Sequence, residues 1–143
     1  MPTITAGTMD FDMGADLRAE MTGRIDRLLE LADALPSADR RLVQAVLAHG
    51  QSITAVAQLL GEPRLRVHRR LARLLSRMNQ PIFRLAIRHH DRLTLRERRL
   101  ARLSIFTGTP IRPLARQLGV SLHGLRKELA GLRGKLNRLA AEG

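Results

Sequence analysis

Apolar residues Leu17, Met21, Ile25, Leu28, Ala32 and Leu35 recur at intervals of three and four, so the spacing predicts an amphipathic helix over residues 14–34 with one face in need of a partner. Ahead of it, residues 1–13 mix Thr, Gly and Asp without apolar periodicity and read as a flexible tail. Leu35-Pro36-Ser37 ends that helix, and Ser37 is placed to cap another that runs to Ala48 and stops at His49-Gly50. Ser52 is placed to cap a short helix, Ile53 to Leu60, which Gly61 closes; Pro63 then opens a longer one reaching Met78. In the long helix Val67, Leu71, Leu74 and Met78 form the inward stripe, which turns Arg64, Arg66, Arg69, Arg70, Arg73 and Arg77 mostly outward.

The same order then recurs. Residues 35–74 align without a gap on 93–132, an offset of 58, and Arg40, Arg41, Leu42, Gly50, Ile53, Ala57, Leu60, Gly61, Leu71 and Leu74 return as Arg98, Arg99, Leu100, Gly108, Ile111, Ala115, Leu118, Gly119, Leu129 and Leu132. In the second copy Thr94 caps the first helix, Gly108 stops it, Thr109-Pro110 opens the short helix and Ser121 caps the long one. Leu125, Leu129, Leu132, Leu136 and Leu139 form its inward stripe, leaving His123, Arg126, Lys127, Arg133 and Arg138 outward. Gly124, Gly131 and Gly134 each lower helix propensity by about 1 kcal/mol relative to Ala, so they either let another backbone come close or fray this helix, and fraying is the expectation. Between the copies Pro81–Arg92 has apolar spacing for a short helical connector, with Phe83 and Ile87 available to pack against the units and set their orientation. Two copies with different surfaces suit two small domains better than a solenoid. The expected fold is therefore all-α: an N-terminal amphipathic helix, one helical unit over 35–80, a connector over 81–92 and a second unit over 93–143.

Charge narrows the function. The 143 residues carry 25 Lys+Arg against 13 Asp+Glu, a formal net charge of +12 and a sequence pI near 11.8. Such a protein is expected to meet a polyanion, nucleic acid before membrane, because neutralised phosphates release counterions. No apolar run approaches the roughly 20 residues that span a bilayer, and no basic start with an apolar core marks a signal peptide, so a cytoplasmic protein at the nucleoid is expected. Without Cys there are no disulfides or thiolate metal sites, and without Trp or Tyr, and with Phe only at Phe11, Phe83 and Phe106, base-stacking platforms for single strands are lacking. Duplex is thereby favoured. Residues before Arg40 hold eight acids and three Arg, net −5, while the remainder carries net +17. The acidic segment reads as a solvated helix face, or as a competitor of DNA for the basic surface.

A short helix, a glycine turn and a longer helix with basic outward positions at its start is the helix-turn-helix arrangement, in which the second helix enters the major groove and its first residues reach base edges. Ala57 and Ala115, four residues before their glycines, leave room for the two helices to cross. The stretch LPSADRRLVQAVLAHGQSITAVAQLLGEPRLRVHRRLARLLSRM resembles region 4 of bacterial sigma factors, above all the extracytoplasmic-function type, through Leu35-Pro36, Arg40-Arg41, Gly50-Gln51-Ser52-Ile53, Ala57, Leu60-Gly61, Val67, Arg70 and Leu71. The second copy is similar, with Leu118-Gly119-Val120-Ser121 closer to the family pattern than its Glu62-Pro63 counterpart. The resemblance implies a winged-helix-like, bacterial transcription protein that contacts duplex DNA through Arg64, Arg66, His68, Arg69, Arg70 and Arg73 in the first unit and through His123, Arg126, Lys127 and Arg133 in the second. It also implies RNA polymerase as a second class of partner. Fewer than forty residues precede the first unit, too few for the domain that melts promoter DNA, so a complete sigma factor is not expected.

Other constellations are weaker. Neighbouring His89-His90-Asp91 would point about 100° apart on a helix and have no third ligand, so no metal is expected and no cofactor is implied. No nucleophile with a base and no paired carboxylates suggest an enzyme. The reading is a transcription regulator that sets two recognition helices in successive major grooves. The alternatives are a protein-interaction module for RNA polymerase or a sigma factor, and a sequence-independent nucleoid protein. The second unit is the better candidate for a protein partner, since Glu128 and three glycines stand on its outward face, and the N-terminal helix is a candidate homodimer contact.

Overall fold

The computed structural model describes residues 21–143, all of whose regular structure is helical. The expected tail over 1–13 and the first residues of the N-terminal helix lie outside the described residues. Helix α1 covers 21–31 and passes through a single tight turn, Ala32–Ala34, into α2, Ser37–Val43, which widens into one loose turn over Gln44–Ala48. Then come α3, Ile53–Leu60, and α4, Arg64–Met78. After two linking residues α5, Pro81–Arg88, leads through the turn His90–Arg92 to α6, Leu95–Leu100, whose helix widens over Ala101–Phe106. Helices α7, Ile111–Leu118, and α8, Leu122–Glu142, complete the chain.

The sequence offset of 58 reappears in the backbone hydrogen bonds. The His49 amide donates to the Gln44 carbonyl at 3.1 Å and the Gln51 amide to Ala45 at 3.0 Å; Thr107 to Arg102 and Thr109 to Leu103 repeat this at 2.9 and 3.0 Å. Both widened turns are therefore built alike. Each ends on a left-handed glycine, Gly50 at φ +65° and Gly108 at φ +73°. Helices α3 and α7 close identically: the Glu62 and Val120 amides both reach back to the alanine carbonyl five residues earlier at 3.0 Å, around Gly61 and Gly119 at φ +66°. This closure needs positive φ, which glycine adopts at least cost. The repeat also extends upstream, since the turns Ala32–Ala34 and His90–Arg92 are separated by the same offset and α1 and α5 stand in equivalent places before them.

Caps follow the sequence at three of four positions. Ser52 Oγ accepts from the Ala55 amide at 3.1 Å, Ser121 Oγ from Gly124 at 3.0 Å, and Thr94 forms a reciprocal box with Glu97. Ser37 does not cap; α2 starts at Ser37 itself, with Pro36 as the flanking residue and no side-chain cap. The expected fraying of α8 is also corrected. Its 21 residues run unbroken through Gly124, Gly131 and Gly134, because the buried stripe Leu125, Leu132, Leu136 and Leu139 outweighs the propensity loss.

One continuous apolar core joins the two copies. Val43, Val67 and Met78 from the first and Leu114, Leu125 and Leu136 from the second are fully enclosed. The helix expected as a connector packs on both, since α5 lies against α4, α8 and the widened turn Ala101–Phe106. Phe83 on α5 is 0% exposed and meets the Phe106 ring edge-on, with centroids 5.1 Å apart and planes at 73°. Leu28 and Leu31 of α1 join the margin of the core and Ala32 and Leu35 beyond them are buried, whereas Met21 at the start of the described helix stays 57% exposed.

Candidate nucleic-acid interface

Pro63 holds the entry to α4 and the buried Val67, Leu71, Leu74 and Met78 fix which face turns away from the core. Arg64, Arg66, His68, Arg69 and Arg73 consequently lie exposed on the opposite face, as do His123, Arg126, Lys127 and Arg133 on α8. Arg64 Nε donates to Thr54 Oγ1 at 3.1 Å, tying the start of α4 to α3. Arg66, Arg69, Arg73, Arg126, Lys127 and Arg133 have no hydrogen-bond or ion-pair partner among the described residues, so their charges are available to a ligand.

Arg70 differs from the other predicted residues. It is half-buried, and its Nε and Nη2 both donate to Asp39 Oδ1, at 3.2 and 2.9 Å, clamping α4 to α2. The second copy reverses this pair and adds a second one. The position equivalent to Arg70 is Glu128, which takes a bidentate contact from Arg96 on α6 at 2.8 and 2.9 Å, and the position equivalent to Asp39 is Glu97, which pairs with Lys135 at 2.7 Å. Glu128 is therefore ion-paired within the chain while its side chain stays about a third exposed (36%). Both copies brace the same pair of helices, with Arg96–Glu128 reversing the polarity of Arg70–Asp39 and Glu97–Lys135 keeping it.

Electrostatics follow from these pairs. Burial pushes the Glu97 carboxyl up, but the Lys135 ammonium and the Thr94 amide and hydroxyl outweigh it and hold the group below its ordinary 4.5. The Arg96 guanidinium holds Glu128 below the ordinary range in the same way. As pH falls, the unfolded chain takes up these protons before the folded one, so the stabilisation is complete above about pH 4.5 and disappears as pH drops through the folded values. A Glu97→Gln/Glu128→Gln variant is expected to show a flatter melting temperature than wild type between about pH 6 and pH 3. Parallel melting curves would remove the two pairs from the acid response.

Leu59, Leu60 and Leu65, at the end of α3 and the start of α4, are 77%, 50% and 55% exposed. Beside Leu59 and Leu60 lies an apolar groove of about 250 Å³ floored by Leu42, Ala45 and Val56, with Arg41 and Arg70 on its rim. In the second copy Arg96 replaces Ala38 and bridges to Glu128 at the matching positions, and Gln117 replaces Leu59. No family model, curated protein or solved structure matches the chain. No helix of the described residues is long and apolar enough to cross a membrane.

Two features of the surface were not legible in sequence. Arg73 of α4 and Arg133 of α8 line one cleft of about 250 Å³ between the copies, together with Arg77 and Gly108. Arg77, equivalent to Lys135, reaches across and donates from Nη2 to the Phe106 carbonyl at 2.9 Å. The sequence signal was present only as an outward arginine; its target lies 29 residues away.

Proposed function

We propose that this chain is a double-stranded DNA-binding transcription regulator built from two helix-turn-helix units that resemble sigma region 4. The observation that carries the reading is the pairing of two equivalent helix–glycine–helix turns, at Gly61 and Gly119, with an exposed cationic start to each following helix. Helix α4 is then the first recognition helix, offering Arg66, His68 and Arg69 to base edges and Arg64 and Arg73 to phosphates, with Leu65 placed for a thymine methyl. Arg70 acts through Asp39 by fixing the tilt of α4. Helix α8 presents His123, Arg126 and Lys127 to a second segment, and because these residues differ from their counterparts the target is an asymmetric site.

Spacing follows from the shared cleft. Arg66 lies seven residues from Arg73 and His123 ten from Arg133. At 1.5 Å per residue, plus two arginine side chains and the cleft itself, the starts of α4 and α8 lie at most about 45 Å apart. Successive major grooves, about 34 Å apart, fall within that limit; sites two turns apart do not. Titration of genomic duplex fragments at several salt concentrations, with sequencing of those retained, tests the reading. A shared asymmetric motif with segments no more than one turn apart supports it, whereas retention without a motif favours sequence-independent coating. No retention at physiological salt removes DNA as the partner.

The exposed Leu59 and Leu60 beside the groove of the first unit favour a second reading, in which that unit contacts RNA polymerase or a sigma factor. The engagement of Glu128 with Arg96 draws this role away from the second unit. Pull-down of purified RNA polymerase by wild type but not by Leu59→Ser/Leu60→Ser, with duplex binding retained, would favour it.

A further inference from the structure

We propose that the cleft between the two units binds a phosphate group, gripped by Arg73, Arg77 and Arg133. The three guanidinium groups come from different places, two along α4 and one on α8, and the residues lining the cleft include no carboxylate. Ser76 and Ser104 add hydroxyls to the wall. Three forks around one cavity suit a multiply charged anion with several acceptor oxygens better than a single carboxylate, and about 250 Å³ leaves room for one or two linked phosphoryl groups.

Comparison of the repeats explains why Arg77 lacks a counter-ion. Lys135, its equivalent, is neutralised by Glu97 at 2.7 Å, but Asp39 of the first copy is drawn to Arg70 instead. Arg77 is left with a carbonyl as its single partner, and its Nε is buried without any acceptor. Burial disfavours its charged form, with only partial relief from the field of Asp39. A half-buried, always-protonated guanidinium with no contacting anion carries a desolvation cost, which a bound phosphate would offset. The absence of a side chain at Gly108 makes the arrangement feasible, because a Cβ there would lie 2.8 Å from Arg77 Cζ.

The phosphate has two sources, the backbone of a duplex lying across both units or a soluble phosphorylated compound. The first rests on the DNA reading and the second is independent of it. Inorganic pyrophosphate at constant ionic strength is the probe for the soluble source. It is expected to raise the melting temperature of the full chain by about 5 °C at saturation, to do the same for Arg112→Ala/Arg116→Ala, which removes equal charge on α7, and to have no effect on Arg73→Ala/Arg133→Ala. Arg73 and Arg133 are exposed, so their loss leaves the core intact. For the duplex source, the salt slope of binding is expected to fall by about two in Arg73→Ala/Arg133→Ala. The pyrophosphate shift decides the site; a lower slope supports it only beside that shift, because Arg73 already contacts duplex phosphates in the DNA reading. A pyrophosphate shift that is absent, or equal in wild type and Arg73→Ala/Arg133→Ala, overturns it. If wild type binds no duplex, the DNA reading fails and the pyrophosphate measurement alone decides the cleft.

Discussion

Replacing Arg66 and Arg69 together with alanine is expected to weaken duplex binding by roughly a thousandfold at physiological salt, from the 1–3 kcal/mol that each well-formed base contact contributes to discrimination. Both side chains are exposed on α4 and neither is committed to another residue, so nothing in the fold depends on them. The melting temperature should therefore stay within about a degree of wild type, since exposed substitutions of this kind usually change stability by less than 0.5 kcal/mol. Fluorescence anisotropy with a selected duplex, read beside thermal melting, separates the effects. Arg70→Ala makes the contrast: it releases Asp39 and loosens α4 from α2, so it should lower stability and duplex affinity together. An Arg66→Ala/Arg69→Ala protein that binds duplex as wild type does, with the same salt dependence, would refute the role given to α4.

The largest expected effect on stability belongs to Phe83→Ala. Phe83 is fully enclosed and stacks edge-on with Phe106, and it sits on the helix shared by both units. Truncation leaves a cavity at that junction and is expected to cost about 3–5 kcal/mol, a fall in melting temperature of roughly 10 °C or more for a chain of this size. Because α5 sets how α4 and α8 lie relative to each other, duplex affinity should fall as well, even below the melting transition. Calorimetry checks the first part and anisotropy at low temperature the second. Two separate melting transitions in wild type would instead mean that the core does not couple the copies.

Much of the fold follows from local rules. The bounds of α3 and α4, the caps at Ser52, Thr94 and Ser121, the start of α5 at Pro81 and the glycine stops were all readable, because each depends on residues within one or two helical turns. Buried stripes were readable for the same reason. The failures differ in kind. Helix α2 starts at Ser37 itself with Pro36 flanking it, one residue earlier than a Ser37 cap requires, and α8 kept its glycines because the burial of its own leucines outweighed local preference.

The exposed cationic faces of α4 and α8 were legible residue by residue, but their availability was not. Which cation is free and which is clamped depends on acids 31 to 38 residues away, at Asp39, Glu97 and Glu128, and the two copies resolve that choice differently. Sequence alone determined the duplicated helical units, their turns and their charge, since periodicity, capping and left-handed glycine are properties of short segments. Only the tertiary structure decided that α5 fuses the copies into one core, that Arg70 braces while Arg66 and Arg69 stay free, and that Arg73, Arg77 and Arg133 share a cleft. Those outcomes depend on side chains meeting across helices, where distance in the chain carries no information about distance in space.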